Sequence, residues 1–506
     1  MKYKISTNRS FFYKFKDFAR NLFLGLRNFI VRFYKCIILM SRLERIVVLI
    51  LLAVVLALFG IKVKDYYLAN TRVVAAFGGS YKEATVGELR YLNPILATSD
   101  SEKSVSSLIF SSLFKFDKSG NVIPDVAEKF EISADKLIYT ITLKDNIYFH
   151  DGEKMTADDV VYTVETIQDP EFKSPLYEAW KDIKAETTGE NIVTFKLQKE
   201  YGPFIYVLDF GILPSYLSPD DLSRTVIGSG PFQYDTVKKN GDKITQLKLE
   251  SNAKYYFGRP FINNLELDFF DTKDAALAGF NKDKAYQSIS GVETAKDNFS
   301  KFSFSTSKQL VLVPNLRSDK LKDKAFRAQI LSSDQKMPEK VSITLTTANS
   351  ELQRNKAEEL KKSFADRNID LIVKYYKPVE MKDVLDQKKY ELLLFGFDFG
   401  HDRDPYIFWH SSQISAMNYA GYSDKNSDIL LEDARMITDA SQRNAKYDQF
   451  YATISSESLA IYYEPVKYYQ IISNTIKGMD NSLRCDNDSK YLGVAKWYIK
   501  EKRVNK

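Results

Sequence analysis

Residues 46–61, IVVLILLAVVLALFGI, run for sixteen positions without a charge, and no other feature of this 506-residue chain limits its folding so strongly. As a helix rising 1.5 Å per residue the run is about 24 Å long, short of the ~30 Å hydrocarbon core, so flanking residues must complete a span. Arg42 and Arg45 precede it, and Lys62, Lys64 and Asp65 follow. Residues 46–62 are therefore expected to form a transmembrane anchor. Residues 1–64 hold 13 bases against two acids, Asp17 and Glu44, with eleven of the bases ahead of the apolar run. That asymmetry predicts a cytoplasmic N-terminus, one crossing of the cell membrane and an extracytoplasmic body. A cleaved signal peptide fits less well, because the basic segment is long and no small-x-small site follows.

The segment ahead of the span has a pattern of its own. Lys16, Arg20, Arg27, Lys35, Arg42 and Arg45 fall within an arc of about 100° if residues 12–44 are helical. Residues 1–45 thus read as a basic amphipathic segment lying on the cytoplasmic leaflet. This topology puts Cys36 and Cys485, the two cysteines, on opposite sides of the membrane, so no disulfide is expected between them. A lipid-anchored form would need a cysteine just after the apolar run, and Cys36 lies before it.

The remaining residues, 65–506, hold 59 bases and 64 acids, which argues against a nucleic-acid-binding body. Three histidines (His150, His401, His410) and no HExxH leave no metal centre to expect, and no cofactor motif is present. Strand and helix patterns alternate, pointing to an α/β architecture. Leu137–Leu143, Asn191–Leu197, Ile244–Leu249 and Leu265–Phe269 read as strands, and Thr156–Ile167 reads as a helix capped by Thr156. Asp158 and Asp159 resemble a catalytic pair, but carboxylates in a first helical turn are ordinarily there for the helix dipole. Gly228-Ser229-Gly230-Pro231 lacks the following Lys-Ser/Thr of a phosphate loop and reads as a turn between domains. No nucleophile–base constellation is present, so no catalytic residue and no enzyme is expected.

Several ordered segments together resemble one family. They are NVIPDVAEKFEISADKLIYTITLKDNIYFHDGEKMTADDVVY (121–162), GSGPFQYDTV (228–237), NAKYYFGRPFINNLELDFF (252–270), KDKAFRAQIL (322–331), GFDFGHDRDPYIFW (396–409) and YYEPVKYYQI (462–471). In this fixed order they are similar to the family 5 extracellular solute-binding proteins, the peptide-binding components of ABC importers. The resemblance covers residues 72–500. It implies a two-lobed periplasmic-binding-protein fold of the type II, three-domain class behind the N-terminal transmembrane helix. Domain I would comprise 66–110, 227–310 and 479–506 with the tail, domain II 111–226, and domain III 311–478. The short SSDQKMPEK (332–340) ahead of VSITLTTA implies a trimmed second lobe.

The resemblance also implies a site. The family holds an extended peptide between its lobes, and a buried carboxylate commonly meets the peptide's amino group. That carboxylate belongs to the segment beginning Gly396-Phe397, which is one residue longer here than the family pattern. The position falls between Asp398 and Asp402, and both stay open. Tyr177 and Trp180 occupy a stretch that contributes an aromatic near the cleft, and Trp409 is better explained by core packing. The expected function is capture of peptides or other small solutes by a monomer, for uptake through an ABC permease and its ATPase. A cell-surface sensor or adhesion protein that keeps the fold without serving a permease is the alternative.

Overall fold

The computed structural model describes Arg27, Lys35 and residues 39–117, 119–222, 224–332, 335–479 and 488–506. Most of the amphipathic segment expected before residue 46, and both cysteines, lie outside the described residues. The chain divides into two compact units, Met1–Val74 with Glu501–Lys506, and Ala75–Lys500.

In the first unit a helix, α1 (Arg42–Asn70), takes up the apolar run and extends it at both ends. Its start is set by a capping box: the Ser41 backbone N–H donates to the Glu44 carboxylate at 2.8 Å, and Ser41 Oγ accepts from the Glu44 N–H. Its 29 residues make a rod of about 43 Å, and none of them is buried. This is the one helix among the described residues long and apolar enough to cross a membrane. Strand β1 (Thr71–Ala76) follows and pairs with the last strand of the chain, Lys500–Asn505, in a two-stranded ribbon. There Arg503 Nη1 donates to Thr71 Oγ1 at 3.0 Å.

The second unit is α/β. After β2 (Ser80–Val86) and helix α2 (Asp100–Ile109), β3 (Phe114–Phe116) pairs with β4 (Val122–Pro124). Four antiparallel strands, β5 (Ala127–Ile132), β6 (Ile138–Leu143), β7 (Lys184–Gly189) and β8 (Ile192–Lys196), form a sheet in the order β5-β6-β8-β7. The alternation in β6 explains its role: Tyr139, Ile141 and Leu143 are buried while the residues between them are not. Helix α3 (Ala157–Gln168) begins after Thr156, whose N–H donates to the Asp159 carboxylate at 2.7 Å. Asp159 also accepts from the Ser215 N–H, and Asp158 accepts from Thr187 Oγ1, so both carboxylates serve the local structure.

The largest sheet has ten strands. Its members are β2, β9 (Phe232–Asn240), β10 (Lys243–Ser251), β11 (Asn264–Phe270), β12 (Ser288–Ser290), β13 (Phe299–Pro314), β14 (Val341–Ala348), β15 (Ile369–Tyr376), β16 (Leu392–Asp398) and β17 (Ile461–Ser473). The order is β15-β14-β16-β13-β17-β12-β2-β11-β10-β9. Strands β13 and β17 are the longest, at 16 and 13 residues, and each reaches from one lobe into the other. Their pairing slips between Ser305 and Gln309 and again before Val311. Such irregularities bend a strand pair. The first lobe packs around Tyr81, Phe149, Phe204, Phe232 and Trp497. The second lobe packs helix α4 (Glu351–Ala365) and helices α5 (Lys425–Arg435) and α6 (Ala440–Ser456) around Leu312, Leu345, Phe397, Trp409 and Phe450.

Candidate ligand-binding site

Where α2 meets the middle of β13 and β17, the body leaves a polar cavity of about 280 Å³. Thr85, Gly87, Ser99, Asp100, Ser101 and Ser104 line it from the first lobe, and Lys308 and Tyr468 from the two long strands. Lys308 Nζ lies 2.6 Å from Asp100 Oδ1, and both side chains are about two-fifths exposed. Beneath them Lys490, which also reaches the cavity, pairs with Glu83 at 2.5 Å in full burial. Glu83 further accepts from Tyr81 Oη and Ser290 Oγ, each at 2.6 Å, and from Thr85 Oγ1 at 3.1 Å. Burial alone would raise the Glu83 carboxyl, but the Lys490 charge and these hydrogen bonds outweigh it and hold the pKa below its ordinary value.

The segment Gly396–Pro405 continues from the last residues of β16. Gly396 is exposed, whereas Phe397 is buried and stacks on Phe408 with ring centroids 4.3 Å apart. Asp398 is exposed and accepts from Ser307 Oγ at 2.6 Å and from the Gly400 N–H at 3.1 Å. Across the strand pair its partner is Lys308. The segment then turns, with Gly400 and Arg403 both at φ near +60°. Asp402 is thereby carried into the protein, where Arg443 Nε donates to it at 2.7 Å, Arg443 Nη2 donates to the same oxygen, and Tyr447 Oη donates at 3.0 Å. Burial alone would lower the Arg443 pKa, but the hydrogen bond and charge of Asp402 raise it above its ordinary value. The two aspartates that the sequence leaves equivalent thus have different surroundings: Asp402 already holds a cation and Asp398 does not.

Tyr177 is half-buried at the start of a single helical turn. Trp180 departs from the expectation of an aromatic near the cleft. It is 1% exposed and packs edge-on against Phe195 and Phe210, because an indole of this size fills the space between the four-stranded sheet and the turn after it. Trp409 is a core residue, as its neighbours Tyr422 and Phe450 attest. His150 is held by the main chain, with Nε2 3.1 Å from the Gly230 oxygen and the Gly228 N–H donating to Nδ1. Burial pushes its pKa down to about 4.

Away from the floor the lobes touch directly. His401 stacks on Phe116 with centroids 3.4 Å apart. The Arg443 guanidinium lies 5.4 Å over the Tyr206 ring, and Lys136 Nζ donates to the Met436 carbonyl at 3.0 Å. Gly202 comes so close to the second lobe that a Cβ there would sit 2.0 Å from the Ile437 oxygen. Arg435 completes the seam, paired with Asp404 at 2.6 Å and lying over the Tyr406 and Tyr201 rings. The sequence analysis missed Lys308, Asp100 and Arg443. Only Arg443 left a signal, as the one charge on the buried stripe Arg443, Tyr447, Phe450, Ile454 of α6.

Comparison with known proteins bears on the fold. Residues 121–331 match the family described as bacterial extracellular solute-binding proteins, family 5, middle region. The oligopeptide-binding protein AppA of Bacillus subtilis (strain 168) is 24% identical over 465 residues, which is 75% of this chain and 85% of that protein. The structure of AppA from Bacillus subtilis in complex with a nonapeptide superposes with a TM-score of 0.66 at 20% identity, covering 84% of this chain and all of that one. NikZ from Campylobacter jejuni, solved in complex with Ni(L-His), superposes with a TM-score of 0.66 at 21% identity, over 83% of this chain and 99% of its own. The fold is the periplasmic-binding-protein fold.

Proposed function

We propose that this chain is a family 5 extracellular solute-binding protein, held at the cell membrane by α1, that captures peptides between its lobes for delivery to an ABC permease and its ATPase. The observation that carries the reading is Asp398, an exposed carboxylate in register with Lys308, a residue lining the cavity, and itself paired with no cation among the described residues. A ligand ammonium taken from water needs such a partner to offset its desolvation. Asp402 is spent on Arg443, so Asp398 receives the amine, with the exposed Gly396 main chain and the half-buried Tyr177 beside the ligand and Phe397 packed beneath it. The name of the Bacillus relative and the nonapeptide in its structure support a peptide, and the nickel complex of the Campylobacter protein marks how far ligands diverge on this fold. In this reading domain I (66–110, 227–310, 479–506) and domain II (111–226) form one lobe and domain III (311–478) the other, with residues 1–45 cytoplasmic and a monomer as the working unit.

The test is calorimetric titration of the full chain in detergent with a peptide library. Asp398→Asn should weaken binding by one to two orders of magnitude, equivalent to about 1.5–3 kcal/mol. N-acetylation of the ligand should reproduce the loss in the unaltered protein. Equal binding of acetylated and free peptide, with Asp398→Asn silent, would overturn amine recognition.

A further inference from the structure

We infer that the end of α1 and the root of its two-stranded ribbon form a basic collar that docks on anionic phospholipid headgroups at the extracytoplasmic face of the membrane. The inference rests on the proposed anchoring by α1 and adds which lipid the anchor gathers around it.

Position comes from the length of α1. An uncharged run of ~24 Å centred in a ~30 Å hydrocarbon core leaves ~3 Å to cross at each end. The helix continues past Ile61 to Asn70, about 13 Å further, so it ends ~10 Å outside the hydrocarbon. Headgroups occupy about 5–8 Å on each face, so the root of the ribbon stands at their outer edge, within reach of long side chains. Tyr66 and Tyr67, both exposed, lie between these levels, where tyrosine rings settle at an interface. The closing strand is brought to the same place. The Lys506 N–H donates to the Asn70 carbonyl at 3.0 Å, and the Arg503 guanidinium lies 5.9 Å over the Tyr67 ring.

Charge makes the collar a site for anions. Lys62, Lys64 and Arg72, with Lys502, Arg503 and Lys506 of the closing segment, are set against two acids, Asp65 and Glu501. All six bases are exposed, and none forms an ion pair among the described residues. Residues 75–500 hold 55 bases against 62 acids, so beyond the apolar run the positive excess belongs to the collar. Bases are ordinarily kept to the cytoplasmic side of a span, and their gathering on the other side calls for an anion outside the protein. Acidic lipid headgroups supply it at this height, and each base held at such a surface strengthens the attraction about fivefold.

The experiment reconstitutes the full chain, carrying Cys36→Ser, Cys485→Ser and a fluorophore on Asn505→Cys, into vesicles containing headgroup-spin-labelled phosphatidylcholine. Quenching should be at least about twofold greater with ~30% phosphatidylglycerol than in phosphatidylcholine alone, and the excess should vanish in 1 M NaCl, where screening acts within ~3 Å. Lys502→Gln with Lys506→Gln should remove the excess, whereas Lys502→Arg with Lys506→Arg should keep it. Equal quenching in the two lipids overturns the docking surface while the anchor stands. An excess that survives the glutamine pair overturns it too, because the basic segment ahead of α1 is then its source. Loss of the excess in millimolar inorganic phosphate at fixed ionic strength overturns the lipid in favour of free phosphate. A chain that fails to float with the vesicles after an alkaline wash removes the anchoring reading instead.

Discussion

Glu83–Lys490 and Asp402–Arg443 are both ion pairs shut away from water, yet one joins elements of a single lobe and the other stands at the seam between two. Around Glu83, hydrogen bonds arrive from β2, β12 and β17, so the pair knits strands far apart in the chain into one wall. Around Asp402, the guanidinium of Arg443 also donates to the Ile437 and Thr438 carbonyls and lies over Tyr206 of the opposite lobe. The lesson is that a buried charge is not one kind of device. Glu83–Lys490 ties strands of one lobe together, whereas Asp402–Arg443, both of the second lobe, also presents its guanidinium to Tyr206 across the seam. The half-exposed Asp100–Lys308 pair is a third case, open to solvent.

The strongest way to break this comparison is Lys490→Met, which leaves Glu83 buried without its cation. Chemical denaturation should show a loss of about 3–5 kcal/mol, with the radius of gyration of the native state unchanged. Arg443→Met should cost a similar amount by stranding Asp402, and should in addition enlarge the radius of gyration in small-angle scattering, because it removes the guanidinium that faces Tyr206 across the seam. If Lys490→Met opens the molecule and Arg443→Met does not, the assignment of the two pairs is reversed. The next effect comes from His150, a half-buried imidazole within the first lobe. Its pKa of about 4 when folded lies below the ordinary value near 6.5, so the unfolded chain binds the proton first. Stability is complete above about pH 6.5 and falls as the pH drops toward 4, by about 3 kcal/mol at most. Denaturation midpoints across that range should lose this slope in His150→Asn. The smallest effect is Lys308→Gln, where an exposed pair contributes about 1 kcal/mol or less to stability. A larger loss would mean that the pair is structural.

Local chemistry made much of the fold legible in the sequence. Thr156 with Asp159, the alternation of Ile138–Leu143 and the uncharged run at 46–61 each specify their element within a few residues. The order of motifs carried the fold. The site was only partly legible, because its decisive contacts join residues remote in the chain. Nothing near Asp402 in sequence announces that Arg443 will consume it, and the nearby Arg403 is directed elsewhere, toward Asp448. Trp180 is placed by Phe195 and Phe210, residues with no periodic relation to it. Lys490 follows no pattern at all, and its partner lies four hundred positions earlier on β2.

The ribbon of β1 with the closing strand has a consequence for how the molecule is assembled. Thr71 and Arg503, which touch across it, are 432 positions apart. Joining two ends of so long a flexible chain costs ~5 kcal/mol of closure entropy before any contact is gained, and two short strands repay little of it. The ribbon therefore cannot nucleate. It zips only after Ala75–Lys500 has folded and delivered its two ends to one place, so its formation marks a finished body, and a nascent or stalled chain leaves β1 without its partner at the end of α1.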